Sequence, residues 1–132
     1  MRTIMIVDDD RQLCAALQFK FERAGYWVCA VFNGQGLLAR FEVQRPDLII
    51  LDLMMPDMSG IRVLEYLRRD PVLSSIPVLV VTAWGNSAMR ARCLELGAVG
   101  FLSKPFSLRE LAMQVEEYVA QGQGGVAAER GE

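Results

Sequence analysis

The chain has 132 residues, 52% of them hydrophobic, and a formal net charge of −2. That length suits one domain with a real core, and that composition excludes a disordered segment. The lack of a basic block argues against direct nucleic-acid binding, and the lack of histidine excludes Ser-His-Asp and Cys-His catalysis and histidine-rich metal sites.

Cys14, Cys29 and Cys93 lie far apart and show no metal-binding spacing. They read as reduced, mostly buried thiols in a reducing compartment. Met1-Arg2-Thr3 runs directly into a short apolar stretch, which does not make a signal peptide. No apolar stretch approaches membrane-spanning length. The expectation is a soluble, cytoplasmic protein with no membrane partner.

Strand-length apolar runs alternate with helical patterns. Thr3 to Val7 is apolar and β-branched, the mark of a buried strand. Asp10 to Ala24 carries Leu13, Leu17, Phe21 and Ala24 at helical spacing, with Asp10 as its N-cap and Gly25 where a C-cap belongs. Trp27 to Phe32 is the second strand. Asn33-Gly34 opens a helix through Gln44, weakened by Gly34 and Gly36 and ended by Pro46.

Leu48 to Leu53 is a strand, apolar apart from Asp52. Ile61 to Arg69 is helical, with Arg68-Arg69 complementing its C-terminal dipole. Ile76 to Thr82 is the fourth strand and Ala88 to Leu96 the fourth helix, ended by Gly97. Val99 to Ser103 is the fifth strand. Ser107-Leu-Arg-Glu110 fits a capping box for a last helix with Leu108, Leu111, Val115 and Val119 as its stripe. The Gly- and Gln-rich segment 120–132 reads as a flexible tail or the start of a linker, leaving 1–119 as the domain.

Strict β/α alternation predicts an α/β fold: a doubly wound, flavodoxin-like (βα)5 unit, with a parallel sheet ordered 2-1-3-4-5 and helices on both faces. In such sheets chemistry collects beyond the carboxyl ends of the strands. Those ends carry Asp8-Asp9-Asp10, Asp52, Thr82-Ala83 and Ser103-Lys104-Pro105. Carboxylates a few Å apart repel by roughly 3 kcal/mol per pair at an effective dielectric near 20. A divalent cation relieves that repulsion, and an all-oxygen set of this size suits Mg²⁺. Lys104 adds a positive charge, Thr82 a hydroxyl donor, and a carboxylate is a competent nucleophile toward phosphorus.

The motifs Ile6-Val7-Asp8-Asp9-Asp10, Leu51-Asp52-Leu53-Met54-Met55-Pro56 with Gly60, Val81-Thr82-Ala83, and Phe101-Leu102-Ser103-Lys104-Pro105-Phe106 stand in order at those strand ends. Together they resemble the response-regulator receiver domain of two-component signalling, over residues 1 to about 119. The resemblance implies that Asp52 accepts the phosphoryl group. It implies that Asp9, Asp52 and the Met54 backbone carbonyl ligate Mg²⁺ directly, and Asp8 through water. It makes Lys104 a contact for phosphoryl oxygens, Thr82 and Phe101 the switch pair, and Lys104-Pro105 a cis peptide. The donor would be a phosphohistidine on a sensor histidine kinase or a histidine phosphotransfer protein. Phosphorylation would then change a partner-binding face or drive pairing with a second copy.

Met54 and Trp84 stand two residues after Asp52 and Thr82, where the family often has polar groups. They are expected to screen the acyl phosphate from water. Two alternatives carry weight. One is a degenerate, phosphate-independent interaction module. The other is a Mg²⁺-dependent haloacid-dehalogenase-like phosphatase, suggested by Asp8-x-Asp10 and opposed by Gln12, where that class needs threonine or valine.

Overall fold

The computed structural model describes residues 2–131, with side chains for residues 2–120. In chain order the elements are β1 Thr3–Val7, α1 Arg11–Arg23, β2 Trp27–Val31, α2 Gly34–Phe41, β3 Leu48–Leu51, α3 Gly60–Arg69, β4 Val78–Thr82, α4 Ser87–Glu95, β5 Gly100–Ser103 and α5 Leu108–Gly131. The expected tail at 120–132 falls almost wholly outside the residues described with side chains.

The strands form one five-stranded parallel sheet in the order β2-β1-β3-β4-β5. This is the order expected from the alternation. It places β1 and β3 side by side in the middle of the sheet, with β4 next to β3.

Side-chain alternation along each strand sorts the core into two layers. Ile4, Ile6, Leu48, Ile50, Leu79, Val81 and Leu102 pack against α1 and α5, where Leu17, Phe21, Leu111 and Val115 meet them. Met5, Val7, Ile49, Leu51, Val78, Val80 and Phe101 pack against α2, α3 and α4, where Leu37, Val63, Leu67 and Cys93 meet them. Leu108 does not join the α5 stripe. It stands at the first residue of the helix, before the turn that faces the sheet, and is exposed.

Local signals set the helix ends. The Asp10 carboxylate accepts from the Leu13 amide at 3.1 Å and caps α1. Gly25 and Gly97 end α1 and α4 with φ of +100° and +97°, a left-handed region that costs a side-chain residue about 1–2 kcal/mol. The Ser107 hydroxyl accepts from the Glu110 amide at 2.9 Å, giving half of the expected capping box.

Most boundaries fall within a residue of expectation, and three ahead of α5 differ by more. β3 closes at Leu51, so Asp52 stands just beyond the strand rather than inside it. β4 opens at Val78, because residues 70–75 wind into a 3-10 turn over Leu73–Ser75. The Asp70 carboxylate caps that turn, accepting from Val72 and Leu73 amides at 2.8 and 3.0 Å. α2 ends at Phe41, short of Gln44.

Candidate functional site

The backbone ladder runs one residue past the strand ends. The Asp8 amide donates to the Val31 carbonyl at 3.0 Å, Asp52 to Val7 at 2.9 Å, and Lys104 to Thr82 at 2.8 Å. These bonds lock the three residues at the carboxyl rim before any side chain acts. Asp8, Asp52 and Lys104 each continue the alternation of the strand residues that face α1 and α5. Thr82 continues the opposite face, after Val78 and Val80.

The result is a tight charged cluster. The Lys104 ammonium lies 2.7 Å from Asp8 Oδ2 and 3.2 Å from Asp52 Oδ2. Asp8 Oδ1 accepts from the Asp10 amide at 2.9 Å, and Asp52 Oδ1 from the Met54 amide at 3.1 Å. Asp8 is 1% exposed and Asp52 4%. Burial pushes the Asp8 carboxyl above its usual range; hydrogen bonds from Lys104 and the Asp10 amide oppose the shift, while the Asp52 charge adds to it. Burial works against the Lys104 ammonium, but the Asp8 hydrogen bond and the charges of Asp8 and Asp52 outweigh it, so its pKa lies above the ordinary lysine value.

Asp9 completes the rim from the exposed side. One carboxylate oxygen from each of Asp8, Asp9 and Asp52 lies within 4.8 Å of the others. Three carboxylates against one ammonium leave a charge of −2 in this cluster. The donors are all hard oxygens and the charge matches a divalent ion, so the set fits Mg²⁺ rather than a thiolate- or imidazole-seeking metal. The Met54 carbonyl belongs to the same turn, whose amide is held by Asp52.

Thr82 is wholly buried, and its hydroxyl oxygen accepts from the Trp84 amide at 3.1 Å. Among the described residues, no hydrogen bond or ion pair joins the Thr82 or Phe101 side chain to the carboxylate cluster. Phe101 is 7% exposed and sits in the α2–α3–α4 layer, one strand across from Val80. Between them runs the β4–α4 loop. A Cβ on Gly85 would meet the Ser103 side chain and lie 3.4 Å from the Phe101 ring, so this loop rests directly on both. Met54 and Trp84 are 53% and 51% exposed, on the loops that flank the cluster. The Lys104-Pro105 bond is cis, as the resemblance implies.

Comparison with known proteins decides the family. The family description "Response regulator receiver domain" matches residues 4–116. The chain belongs to the response-regulator receiver family. This receiver domain is 37% identical over 115 residues to the alkaline phosphatase synthesis transcriptional regulatory protein PhoP of Bacillus subtilis, covering 87% of this chain and 47% of that protein. The receiver thus spans about half the length of the curated relatives it matches. Among solved structures, the Francisella response regulator 1452 receiver domain superposes with a TM-score of 0.85 at 28% identity, covering 92% of this chain and 98% of that one. The response regulator TrrA of Thermotoga maritima, solved in complex with Mg(2+)-BeF, superposes with a TM-score of 0.77 at 28% identity, covering 89% and 99%. Membership makes this a signalling domain of two-component response regulators rather than a phosphatase of the haloacid-dehalogenase class.

Two contributors to the receiver site were not singled out from the sequence. Gly60 appeared there only as part of a motif. A Cβ on it would come within 2.6 Å of both the Asp52 carbonyl oxygen and Leu53 Cα. Only glycine lets the start of α3 press this closely on the β3 end, where the Gly60 amide donates to the Leu53 carbonyl at 2.9 Å. The second is Asp57, whose carboxylate holds backbone amides of α2. Its signal is faint: an acid in a Pro-Asp-Met-Ser-Gly loop suggests a turn, and its partners are 22 and 23 residues away.

Proposed function

We propose that Asp52 accepts a phosphoryl group from a partner phosphohistidine and that the resulting acyl phosphate switches a binding face. The observation that carries this is the Asp52 carboxylate, buried at the sheet rim with Lys104 at 3.2 Å and with oxygens of Asp8 and Asp9 within 4.8 Å. A carboxylate oxygen of Asp52 attacks phosphorus. The new O–P bond forms as the P–N bond to the donor imidazole breaks, and the electron pair leaves with that nitrogen. Lys104 holds Asp52 in place and offers its ammonium to the phosphoryl oxygens. Asp9, Asp52 and the Met54 carbonyl would hold Mg²⁺ directly and Asp8 through water. When bound, the ion supplies positive charge to the transferring group.

Phosphorylation adds charge and three acceptor oxygens beside Lys104. Thr82 then gives up the Trp84 amide and turns its hydroxyl toward the phosphoryl group. That frees the β4–α4 loop where it rests on Ser103 and Phe101. Phe101 changes rotamer, and the α4–β5–α5 face changes with it. Phosphate biases an equilibrium that already exists. The readout is altered binding of an output partner or pairing with a second copy. The protein acts in the cytoplasm, a sensor histidine kinase or histidine phosphotransfer protein is the donor, and 120–132 is a flexible tail or the start of a linker.

Treating the protein with acetyl phosphate tests the reading. The expected result is a mass gain of one phosphoryl group that chelation with EDTA abolishes. No gain on the wild type in the presence of Mg²⁺ would favour a phosphate-independent interaction module instead.

A further inference from the structure

Asp57 is exposed, three residues past Met54, and would ordinarily be read as a solvated loop acid. Its hydrogen bonds are not those of a solvated acid. One carboxylate oxygen accepts from the Gly34 amide at 2.9 Å and the other from the Gln35 amide at 3.0 Å. Those amides open α2. The Asn33 side chain takes the Gly36 amide at 2.7 Å, so three successive amides of the first turn have acceptors. The dipole of α2 also favours an anion at this end. Both amide bonds favour the ionised form and hold the Asp57 pKa below the usual carboxylate value.

The contact is close as well as polar. A Cβ on Gly34 would lie 2.7 Å from the Met58 Cβ, and one on Gly36 would lie 2.7 Å from a Val31 methyl. The glycines that weaken α2 as a helix are what let the β3–α3 loop and β2 press against its first turn. The loop between Asp52 and Gly60 is thus tied at three points: the Met54 amide to Asp52, Asp57 to α2, and the Gly60 amide to the Leu53 carbonyl. Only the middle tie reaches a separate element of the fold.

We infer that Asp57 is a positioning residue for the phosphorylation site: it clamps the β3–α3 loop to α2 and thereby fixes Met54 beside Asp52. This rests on the reading of Met54 and Asp52 as part of a Mg²⁺ and phosphoryl site. Groups that orient metal ligands from outside typically alter metal affinity 10–100-fold when removed. Asp57→Ala is therefore expected to weaken Mg²⁺ binding by at least about tenfold. Asp57→Asn, which keeps one acceptor oxygen, loses less.

Amide hydrogen exchange without metal tests the clamp by itself. In Asp57→Ala the Gly34, Gln35 and Met54 amides exchange at least about tenfold faster, while the Ile49 and Ile50 amides of β3 keep their protection. Titration with Mg²⁺ alone then shows the weakened affinity, with Asp57→Asn between Asp57→Ala and wild type. Unchanged Met54 exchange in Asp57→Ala overturns the clamp. Uniformly faster exchange through β3 also overturns it, because that pattern marks a general loss of stability. A wild type that takes up no Mg²⁺ would count against the metal reading, while Met54 exchange would still decide the clamp.

Discussion

Replacing Gly60 by alanine adds one methyl group at the tightest point beneath the site. That carbon would start 2.6 Å from the Asp52 carbonyl oxygen and 2.6 Å from Leu53 Cα, whereas ordinary contact begins at 3.4 Å. Both obstacles are backbone, so no side chain can swing aside, and the β3 end must move by about 0.8 Å. Overpacking of this kind costs about 1–3 kcal/mol. Alanine returns up to about 1 kcal/mol of helix propensity. The net expectation is a destabilisation of about 1–2 kcal/mol, read by urea unfolding. The functional effect is larger, because a misplacement near 1 Å can cost about 10²-fold in rate. Gly60→Ala should take up phosphoryl from acetyl phosphate at least about tenfold more slowly than wild type. Gly25→Ala is the control. It meets no atom within 4 Å but must adopt φ near +100°, so it should lose about 1 kcal/mol and keep its labelling rate. A Gly60→Ala protein as stable as wild type and labelled as fast would refute the packing argument.

Three further outcomes follow from the same geometry. Lys104→Met leaves Asp8 and Asp52 buried without their counter-charge, and should lose about 3 kcal/mol of unfolding free energy in EDTA; Mg²⁺ should restore part of it, and equal stability of mutant and wild type in EDTA would contradict the ion-pair account. Asp70 is held below its ordinary pKa by the Leu73 and Val72 amides, so its contribution is present above the unfolded value of 3.8 and is lost as pH falls through the lower folded value; Asp70→Asn should flatten the acid limb of the stability curve below pH 4, and an unchanged limb would show that this cap is energetically silent. Met54→Asn and Trp84→Glu should each speed loss of the phosphoryl group by opening the rim to water, as followed by the decay of labelled protein; decay at the wild-type rate would remove the screening role.

The sequence made the charged rim legible because strand ends are strongly marked. Apolar runs stop at Asp8, Thr82 and Ser103, Asp52 interrupts the third, and the sheet order sets Asp8 beside Asp52 while the long Lys104 side chain reaches both from the end of β5. The same pattern could not reveal Asp57, whose partners are backbone amides on another element and leave no trace in residue type. α2 illustrates the converse. Its glycines looked like a weak helix start because propensity ignores neighbours, yet Met58 and Val31 occupy the space that side chains at Gly34 and Gly36 would need. The 3-10 turn at Leu73–Ser75 was missed for a related reason. It depends on the Asp70 carboxylate and on Ser74 and Ser75 hydroxyls bonding back to the Pro71 and Val72 carbonyls, which no hydrophobic period reports.

The account stands or falls on which side chain carries the phosphoryl group. An acyl phosphate is reduced by borohydride to an alcohol, whereas a phosphoserine or phosphothreonine is not. Protein labelled with acetyl phosphate and Mg²⁺, then reduced and digested, should yield homoserine in place of aspartate at position 52 alone. Homoserine at Asp8 or Asp9, or a borohydride-stable phosphate elsewhere, would contradict it.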